Sequence, residues 1–596
     1  MTRIVIRMVF AGLVLATFGA FFVAARIKQA PPVISRLSFT SAISPDGDGT
    51  RDVARISFRV QESDVADIEI IDASDEVVRT LDADRRLRPG SPQRFRWNGR
   101  SDEGQIVADG DYRLRVVLRD EGRSVTSPRK IVVDTTPPSP RIARVTPRVA
   151  SPDGDGRADV IRFRYRGPTG QGAGSRPTFI VYRTGSGRSR EVARFRGRKG
   201  ESLQAWDGQV DGEPAPPGNY LIAVKVRDAA GNKGTTPRTL PPVRSEADVP
   251  GKPGLRVRYL EARGPEGPVT AGSQVRFRVD THRSSYRWAI RRLGAARPSQ
   301  RGVSRARGDQ SLRPPVPRRA GVFLLEMQSA RFRYATPFTV RSTDPGRVLA
   351  VLPAAAWQAT NALDTDGDGW GETLAADGAV GRDRPITGRG LPQGFRSRVQ
   401  PVMEALSRAR AGADVTTDIA LARGQGPDPS DYRGMIFVGD ERWFPPAAGR
   451  LLADAVRKGL RVAWVAPDAF HRQLELGETE LRSGGRRSAE DPFGERTALE
   501  DVPAGPLEVA RDDLGLFAEV VPSFGRFSTV ERSIGLPEQG SLRSGAGPEE
   551  GGLAAPAYRF GKGIVIRLNP RGFAEATDGN GDVRRVFRRL VDLLQG

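Results

Sequence analysis

Apolar positions are laid out along this chain in three ways, and each predicts a different kind of structure. Residues 8–25, MVFAGLVLATFGAFFVAA, carry no charge; Arg3 and Arg7 precede them and Arg26 and Lys28 follow. A helix of that length reaches across a bilayer, and the basic flank in front of it sets a cytoplasmic N-terminus. A cleaved leader is the competing reading, because Val23-Ala24-Ala25 resembles a cleavage site. The run is longer than the apolar core of a leader, which favours an uncleaved signal anchor over residues 1–30. Either way the bulk of the chain is expected on the outer side of a cell membrane.

From residue 35 to about 345 the pattern is alternation, apolar against polar, broken by Gly/Pro turns, which predicts short strands. Residues 44–52 read SPDGDGTRD and residues 151–159 read SPDGDGRAD. Trp97-Asn98-Gly99 recurs as Trp206-Asp207-Gly208, and Gly110-Asp111-Tyr112 as Gly218-Asn219-Tyr220. The offset stays between 107 and 109 residues. Two copies of one β-sandwich, at 31–140 and 141–248, account for it, with Trp97 and Trp206 in equivalent places. A third sandwich-like segment is expected at 249–345, with strands at 256–260, 275–279 and 322–326. Between the last two of these, the Arg/Pro/Gly-rich stretch 294–320 reads as loop.

From residue 347 the period changes again. Val348-Leu349-Ala350-Val351-Leu352 is continuously apolar, as a buried strand is, and 435–438, 462–465 and 564–566 are similar. Helical spacing appears over 395–411, 447–458 and 583–594. Pro401 either kinks the first of these or marks its first turn, and Gly459 ends the second. Strands alternating with helices predict a mostly parallel sheet with helices on both faces over 346–596, interrupted by an irregular insertion at 470–555. The expected chain is multidomain: an anchor, three all-β sandwiches and a C-terminal α/β domain.

Composition narrows the chemistry. The 596 residues contain no cysteine, which removes disulfides, thiolate metal sites and a Cys nucleophile. The net charge of +22 is carried mainly by arginine. Its spread along the chain, without a recognition motif, reads as a composition bias rather than a nucleic-acid surface, so no nucleic-acid partner is expected. His282 has one acid nearby, Asp280, and no nucleophile to pair with. His471 is the only histidine of the C-terminal segment, and no G-x-S-x-G, P-loop or HExxH motif occurs.

Three clusters could carry function. Trp357, Gln358 and Asn361 follow the strand at 348–352. Asp364, Asp366, Asp368 and Glu372 lie in DTDGDGWGE, whose alternate carboxylates and glycines suit a weak Ca²⁺ site, with a dissociation constant on the order of 10⁻⁴ to 10⁻³ M. Asp440, Glu441, Arg442 and Trp443 lie at the end of a strand, where open α/β sheets place their sites. The acids of the SPDGDG loops (Asp46, Asp48 and Asp52; Asp153, Asp155 and Asp159) share the alternate spacing but suit an ion-free turn better.

Two resemblances bear on these residues. The SPDGDG, Trp-x-Gly and Gly-x-Tyr motifs over 35–140 and 145–245 resemble the immunoglobulin-like module of the flagellar hook-capping family, an adhesive or spacer domain. The segment 347–596, through WQATN, RDRPI and GDERW, resembles the large subunit of N,N-dimethylformamidase, which implies a glutamine-amidotransferase-like sheet. That family's pattern implies iron held by two tyrosines and a glutamate. The matching positions here are Thr360, Ile386 and Glu441, so iron is not expected and amidase chemistry is not implied. The expected function is a membrane-anchored, extracytoplasmic, non-catalytic protein that binds a cell-envelope polymer or carbohydrate. The alternative is a hydrolase of envelope polymers or amides, with Asp440 and Glu441 as acid and base.

Overall fold

The computed structural model describes residues 2–29, 34–168, 174–185, 187–198, 200–244, 253–283, 285–305, 307–486, 490–498, 501–538, 540–549 and 551–596. Val23-Ala24-Ala25, the stretch that resembles a cleavage site, lies within the first helix, but its side chains are outside the described ones.

The apolar run lies in the single helix Thr2–Gln29, and its segment Ile4–Phe21 has a mean hydropathy of 2.2 with no part buried against the protein. Beyond that helix the next three modules are β. In the first module a three-stranded sheet (Ile34–Phe39, Ala54–Val60, Gln93–Trp97) faces a larger one built on Asp64–Ile71 and Gly110–Leu118. Between them lie Ile56, Phe58, Ile68, Ile70, Trp97 and Leu114, all buried. The second module repeats this strand order, with Arg141–Thr146, Ile161–Arg166 and Leu203–Trp206 facing a sheet built on Thr178–Thr184 and Gly218–Arg227.

The recurrent motifs explain themselves at contact distance. Trp97 pairs with Ala54, and Trp206 pairs with Ile161. Each indole N–H donates to a backbone carbonyl three residues on, Arg100 at 2.9 Å and Gln209 at 3.2 Å. Each tryptophan meets its module's tyrosine, Tyr112 at 5.2 Å and Tyr220 at 5.7 Å between ring centroids. The glycine two residues after the tryptophan has positive φ, and a Cβ there would lie 2.7 Å from Pro45 in one module and 2.4 Å from Pro152 in the other. The Ser-Pro and Trp-x-Gly motifs therefore travel together because one packs onto the other.

The second module extends past the expected boundary at 248. Gly254–Val257 pairs with Gly218–Arg227 and with Val149–Ala150, so it closes the second sandwich, as Ile131–Val133 closes the first. Leu260–Arg263 opens the third module, a three-stranded sheet packed on a five-stranded one around Phe277, Ile290, Phe323 and Phe338. The polar stretch read as loop there forms two strands, Gln300–Ser304 and Gly308–Leu312. Their alternate residues are only half exposed, and the backbone bonds of an edge strand do not require an apolar side chain.

The last segment is organised on a nine-stranded sheet. Asp414–Thr417, Val348–Leu352, Gly434–Val438, Arg461–Val465 and Gly563–Arg567 run parallel in that spatial order. Four more strands, Ala555–Phe560, Ser541–Gly547, Leu507–Asp512 and Ser523–Phe524, extend it antiparallel. The sheet is thus mixed rather than mostly parallel, because the 470–555 insertion supplies three of its strands. These strands are polar and bulged, which hid them from a periodicity reading. Helices cover both faces. Val348, Ala350 and Leu352 point to the side of Gln400–Arg408 and Gly581–Gln595, whereas Leu349 and Val351 point to that of Pro446–Lys458. Pro401 sits in the first turn of its helix, after a single wide turn at Phe395–Val399.

Candidate functional site

The helix Ala354–Ala359 starts where the strand Val348–Leu352 ends, and it carries the first cluster. Gln358 Nε2 donates to Arg384 O at 2.9 Å, and Arg384 Nη2 donates back to Gln358 O at 2.7 Å. Asn361 Nδ2 donates to Pro385 O at 3.0 Å, and Thr387 N donates to Asn361 Oδ1 at 3.0 Å. The two amides therefore clamp the RDRPI segment. Trp357 is half-buried against Phe395, with centroids 5.8 Å apart. Trp357 and Gln358 also line a cleft of about 100 Å³ at the seam with the third module, together with Arg263, Glu266, Phe338 and Arg382. Arg382 and Glu266 close one side of it as an ion pair at 3.1 Å. Of the positions matched to iron ligands, Thr360 bonds back into its own helix at Ala356 O, and Ile386 lines the seam cleft.

The third cluster does lie at the carboxyl ends of parallel strands, but its parts diverge. Trp443 is buried among Ala355, Ile419 and Leu474, with the Arg472 guanidinium 5.4 Å from its ring centre. Asp440 faces Arg398 at 3.5 Å, and Arg442 donates to Asp468 at 2.8 Å. Glu441 is 1% exposed and neither of its carboxylate oxygens has a hydrogen-bond partner among the described residues. Burial, then the charges of Asp418 and Asp440, pushes its carboxyl well above the usual range. Asp418, fully buried, accepts from Ala355 N at 3.1 Å and Ile419 N at 2.7 Å, and burial pushes it up to about 7.

Sequence reasoning missed the neighbouring constellation. His471 Nε2 lies 2.6 Å from Glu531 Oε1, and its Nδ1 lies 3.7 Å from Asp468 Oδ1. Asp468 N donates to Glu531 Oε2 at 2.8 Å, and Arg571 Nη2 donates to Asp468 at 3.0 Å. Burial would raise Glu531, but the His471 hydrogen bond and charge outweigh it and hold the carboxyl below its usual range. Asp468 and Arg571 lie just past the strands 461–465 and 563–567, so strand-end position was a usable signal. Glu531 arrives from the insertion, 60 residues from its histidine, and carried none.

DTDGDGWGE is a docking loop. Asp364 is buried and accepts from Gly367 N at 2.6 Å and Gly369 N at 3.0 Å; Asp366 accepts from Asp368 N, and Asp368 from Trp370 N. Glu372 accepts from Thr365 N at 2.8 Å and Asp366 N at 3.2 Å. Trp370, 3% exposed, inserts among Ile180, Tyr182, Leu221 and Ala223 of the second module. Arg148 donates to Asp366 O at 2.9 Å, and Gly254 N donates to Gly367 O at 3.1 Å. A Cβ on Gly369 would come within 2.9 Å of Leu221 Cβ, so that glycine permits the close approach.

The two SPDGDG loops have the same inner wiring. In each, one carboxylate accepts from both glycine amides: Asp52 from Gly47 and Gly49, Asp159 from Gly154 and Gly156. Asp364 plays that part in the third loop from before the glycines rather than after them. Each loop is also a joint. Lys233 of the second module meets Asp48 at 3.0 Å, and Arg283 of the third module meets Asp153 at 2.7 Å. His282, set aside on sequence grounds, bonds Arg157 O at 2.7 Å in the second of these joints. The nearest oxygens of Asp364, Asp366 and Asp368 lie within 4.8 Å of one another, as do those of each SPDGDG trio.

No curated protein sequence matches the chain. Among solved structures, it is similar to an exo-β-1,4-mannosidase, Op5Man5, from Opitutaceae bacterium strain TAV5, at 14% identity and a TM-score of 0.26, over 42% of this chain and 36% of that one. It is also similar to a bacterial ice-binding adhesin at 13% identity and a TM-score of 0.19, over 52% of this chain and 98% of that one. The native E. coli alpha-2-macroglobulin gives 10% identity and a TM-score of 0.21, over 53% and 24%. The chain spans about a third of the mannosidase's length, and at these scores none of the three likenesses bears on fold or function. Residues 42–122, the body of the first β-module, match the family of the FlgD Ig-like domain.

Proposed function

We propose that this chain is a membrane-anchored, extracytoplasmic binding protein. Three β-modules carry a C-terminal domain that takes a saccharide of the cell envelope in the seam cleft beside Trp357. The observation that carries this reading is the cleft itself: a half-buried indole and Phe338 flanked by the side chains of Arg263, Glu266, Gln358 and Arg382, a lining suited to a polar ring with apolar faces. The apolar helix Thr2–Gln29, with 18 residues at hydropathy 2.2, supports the anchor. The dimethylformamidase-like, glutamine-amidotransferase-like reading of the C-terminal domain rests on its WQATN, RDRPI and GDERW motifs. Calcium belongs to the proposal at Asp364, Asp366 and Asp368, whose nearest oxygens converge within 4.8 Å; Glu372 is committed to its own loop.

A hydrolytic reading has one observation in its favour, a carboxyl at Glu441 raised as a general acid requires. Against it, Glu441 is 1% exposed and an acid must reach its substrate. The full chain in non-ionic detergent, titrated calorimetrically with envelope glycan fragments, tests the binding reading. Trp357→Ala should weaken binding about ten-fold, equivalent to about 1.4 kcal/mol. Unchanged affinity in that variant removes the seam cleft as the site.

A further inference from the structure

The arginine excess is not spread evenly over the β-modules. The three-stranded sheet of the first module contains five arginines, Arg36, Arg55, Arg59, Arg94 and Arg96, and no acid. The equivalent sheet of the second contains five more, Arg141, Arg144, Arg162, Arg164 and Arg166, and again no acid. All but the half-buried Arg59 are exposed. None of the ten makes an ion pair among the described residues. They also oppose one another across the strands: Arg55 faces Arg96, Arg141 faces Arg166, and Arg144 faces Arg164. Like charges directly opposite on antiparallel strands destabilise a sheet.

Composition bias does not account for this, because the other sheet of the first module is built differently. There Arg79, Arg113, Arg115 and Arg119 each meet a carboxylate within 3.4 Å, on Asp102, Asp75, Glu69 and Asp67. In the first module the larger sheet pairs its strand arginines, the exposed Arg86 excepted, whereas the three-stranded one leaves its five bare. The second module's larger sheet also leaves Arg190 and Arg196 exposed and outside any ion pair among the described residues. What recurs is the bare three-stranded sheet, 107 residues later on the central strand, Arg55 and Arg59 becoming Arg162 and Arg166. With strands about 5 Å apart and alternate residues about 7 Å apart, such a face is a grid of guanidinium groups matched to closely spaced anions.

We propose that these two sheet faces bind an extended polyanion of the cell envelope, a polymer bearing repeated phosphate or carboxylate groups. A bilayer surface is the other anionic occupant to weigh. The first helix leads within a few residues into Ile34, which pairs with Val60 at one end of the first sandwich. The second module is joined at the opposite end, through Arg51 to Ala229 O and Lys233 to Asp48. Its arginine face therefore lies one module further from any membrane that holds the helix, where a polymer reaches and lipid headgroups do not. This site is separate from the seam cleft of the proposed function, and either can fail alone.

The test measures binding of the full chain in non-ionic detergent to long-chain polyphosphate and poly-L-glutamate. Dextran serves as a neutral control, and phosphatidylglycerol vesicles represent a bilayer. Replacing Arg162, Arg164 and Arg166 by Gln should weaken polyanion binding on the order of ten-fold and flatten its salt dependence by about two charges' worth. Replacing Arg287, Arg301 and Arg305 of the third module by Gln removes the same charge and should leave binding within about two-fold of the parent, on the order of measurement error. Equal losses in both variants would reduce the effect to bulk charge and overturn the proposal. So would retention by the first variant with a native melting profile, or binding to vesicles without binding to either polymer.

Discussion

Glu495 carries a pH dependence that one substitution can read. It is fully buried with Asp491 beside one guanidinium, that of Arg567, which is 2% exposed. Burial, only partly offset by Arg567 and reinforced by Asp491, pushes its carboxyl up to about 7. The folded state thus holds this proton more tightly than the unfolded chain, whose glutamates titrate at about 4.3. The stability contributed by neutral Glu495 is fully present below about pH 4.3 and is lost as pH rises through about 7. Glu495→Gln keeps an acceptor for the Tyr558 hydroxyl, 2.9 Å away, and stays neutral. Its melting temperature should match the parent at pH 4 and exceed it at pH 8, by about 2–4 °C per kcal/mol gained; a parallel loss at both pH values would mean that the buried carboxyl does not hold its proton. None of this pairing was legible in the sequence, because Glu495 lies in the irregular insertion, far along the chain from the strand that Arg567 closes. GDERW was legible as a strand end, but burial decided the fates of its residues, closing Glu441 off and packing Trp443 away.

Among the elements, the three DGDG loops were the easiest to recognise, and their contacts the hardest to foresee. Alternating Asp and Gly fixes a turn with positive-φ glycines (Gly47 at 82°, Gly154 at 80°, Gly367 at 81°), and that much comes from local chemistry. What each turn touches depends on the next module, which local sequence does not encode. Trp370, within the third of these loops, is a buried anchor. Trp370→Ala should destabilise the docking of the C-terminal domain by up to about 3–5 kcal/mol. Scanning calorimetry should show that domain melting earlier while the first module's transition stays in place; an unmoved transition would mean that the loop does not hold the domain. Millimolar Ca²⁺ should raise the same transition, and Asp366→Ala should abolish the rise. No calcium response in the parent would leave the loop as a hydrogen-bonded turn alone.

At the scale of the whole molecule, the repeat was legible because its landmarks are contacts: tryptophan on tyrosine, glycine on proline, at a nearly constant offset. The third module's outer strands and the antiparallel half of the large sheet were not, since the former are polar edge strands and the latter are interrupted by bulges that break any alternation. The assembled picture is a chain of sandwiches joined through carboxylate loops, with an apolar helix at one end and a clefted domain docked on the second and third modules. Protease added outside intact cells should digest the β-modules; protection of all residues beyond 32 would rule out the anchored topology. Binding without turnover is the core of the proposed function. Incubating the full chain with envelope glycan fragments and separating the mixture by chromatography and mass spectrometry checks it. Saturable binding with every fragment recovered at its original mass is expected. Shortened or deamidated products that disappear in Glu441→Gln would instead make the chain a hydrolase.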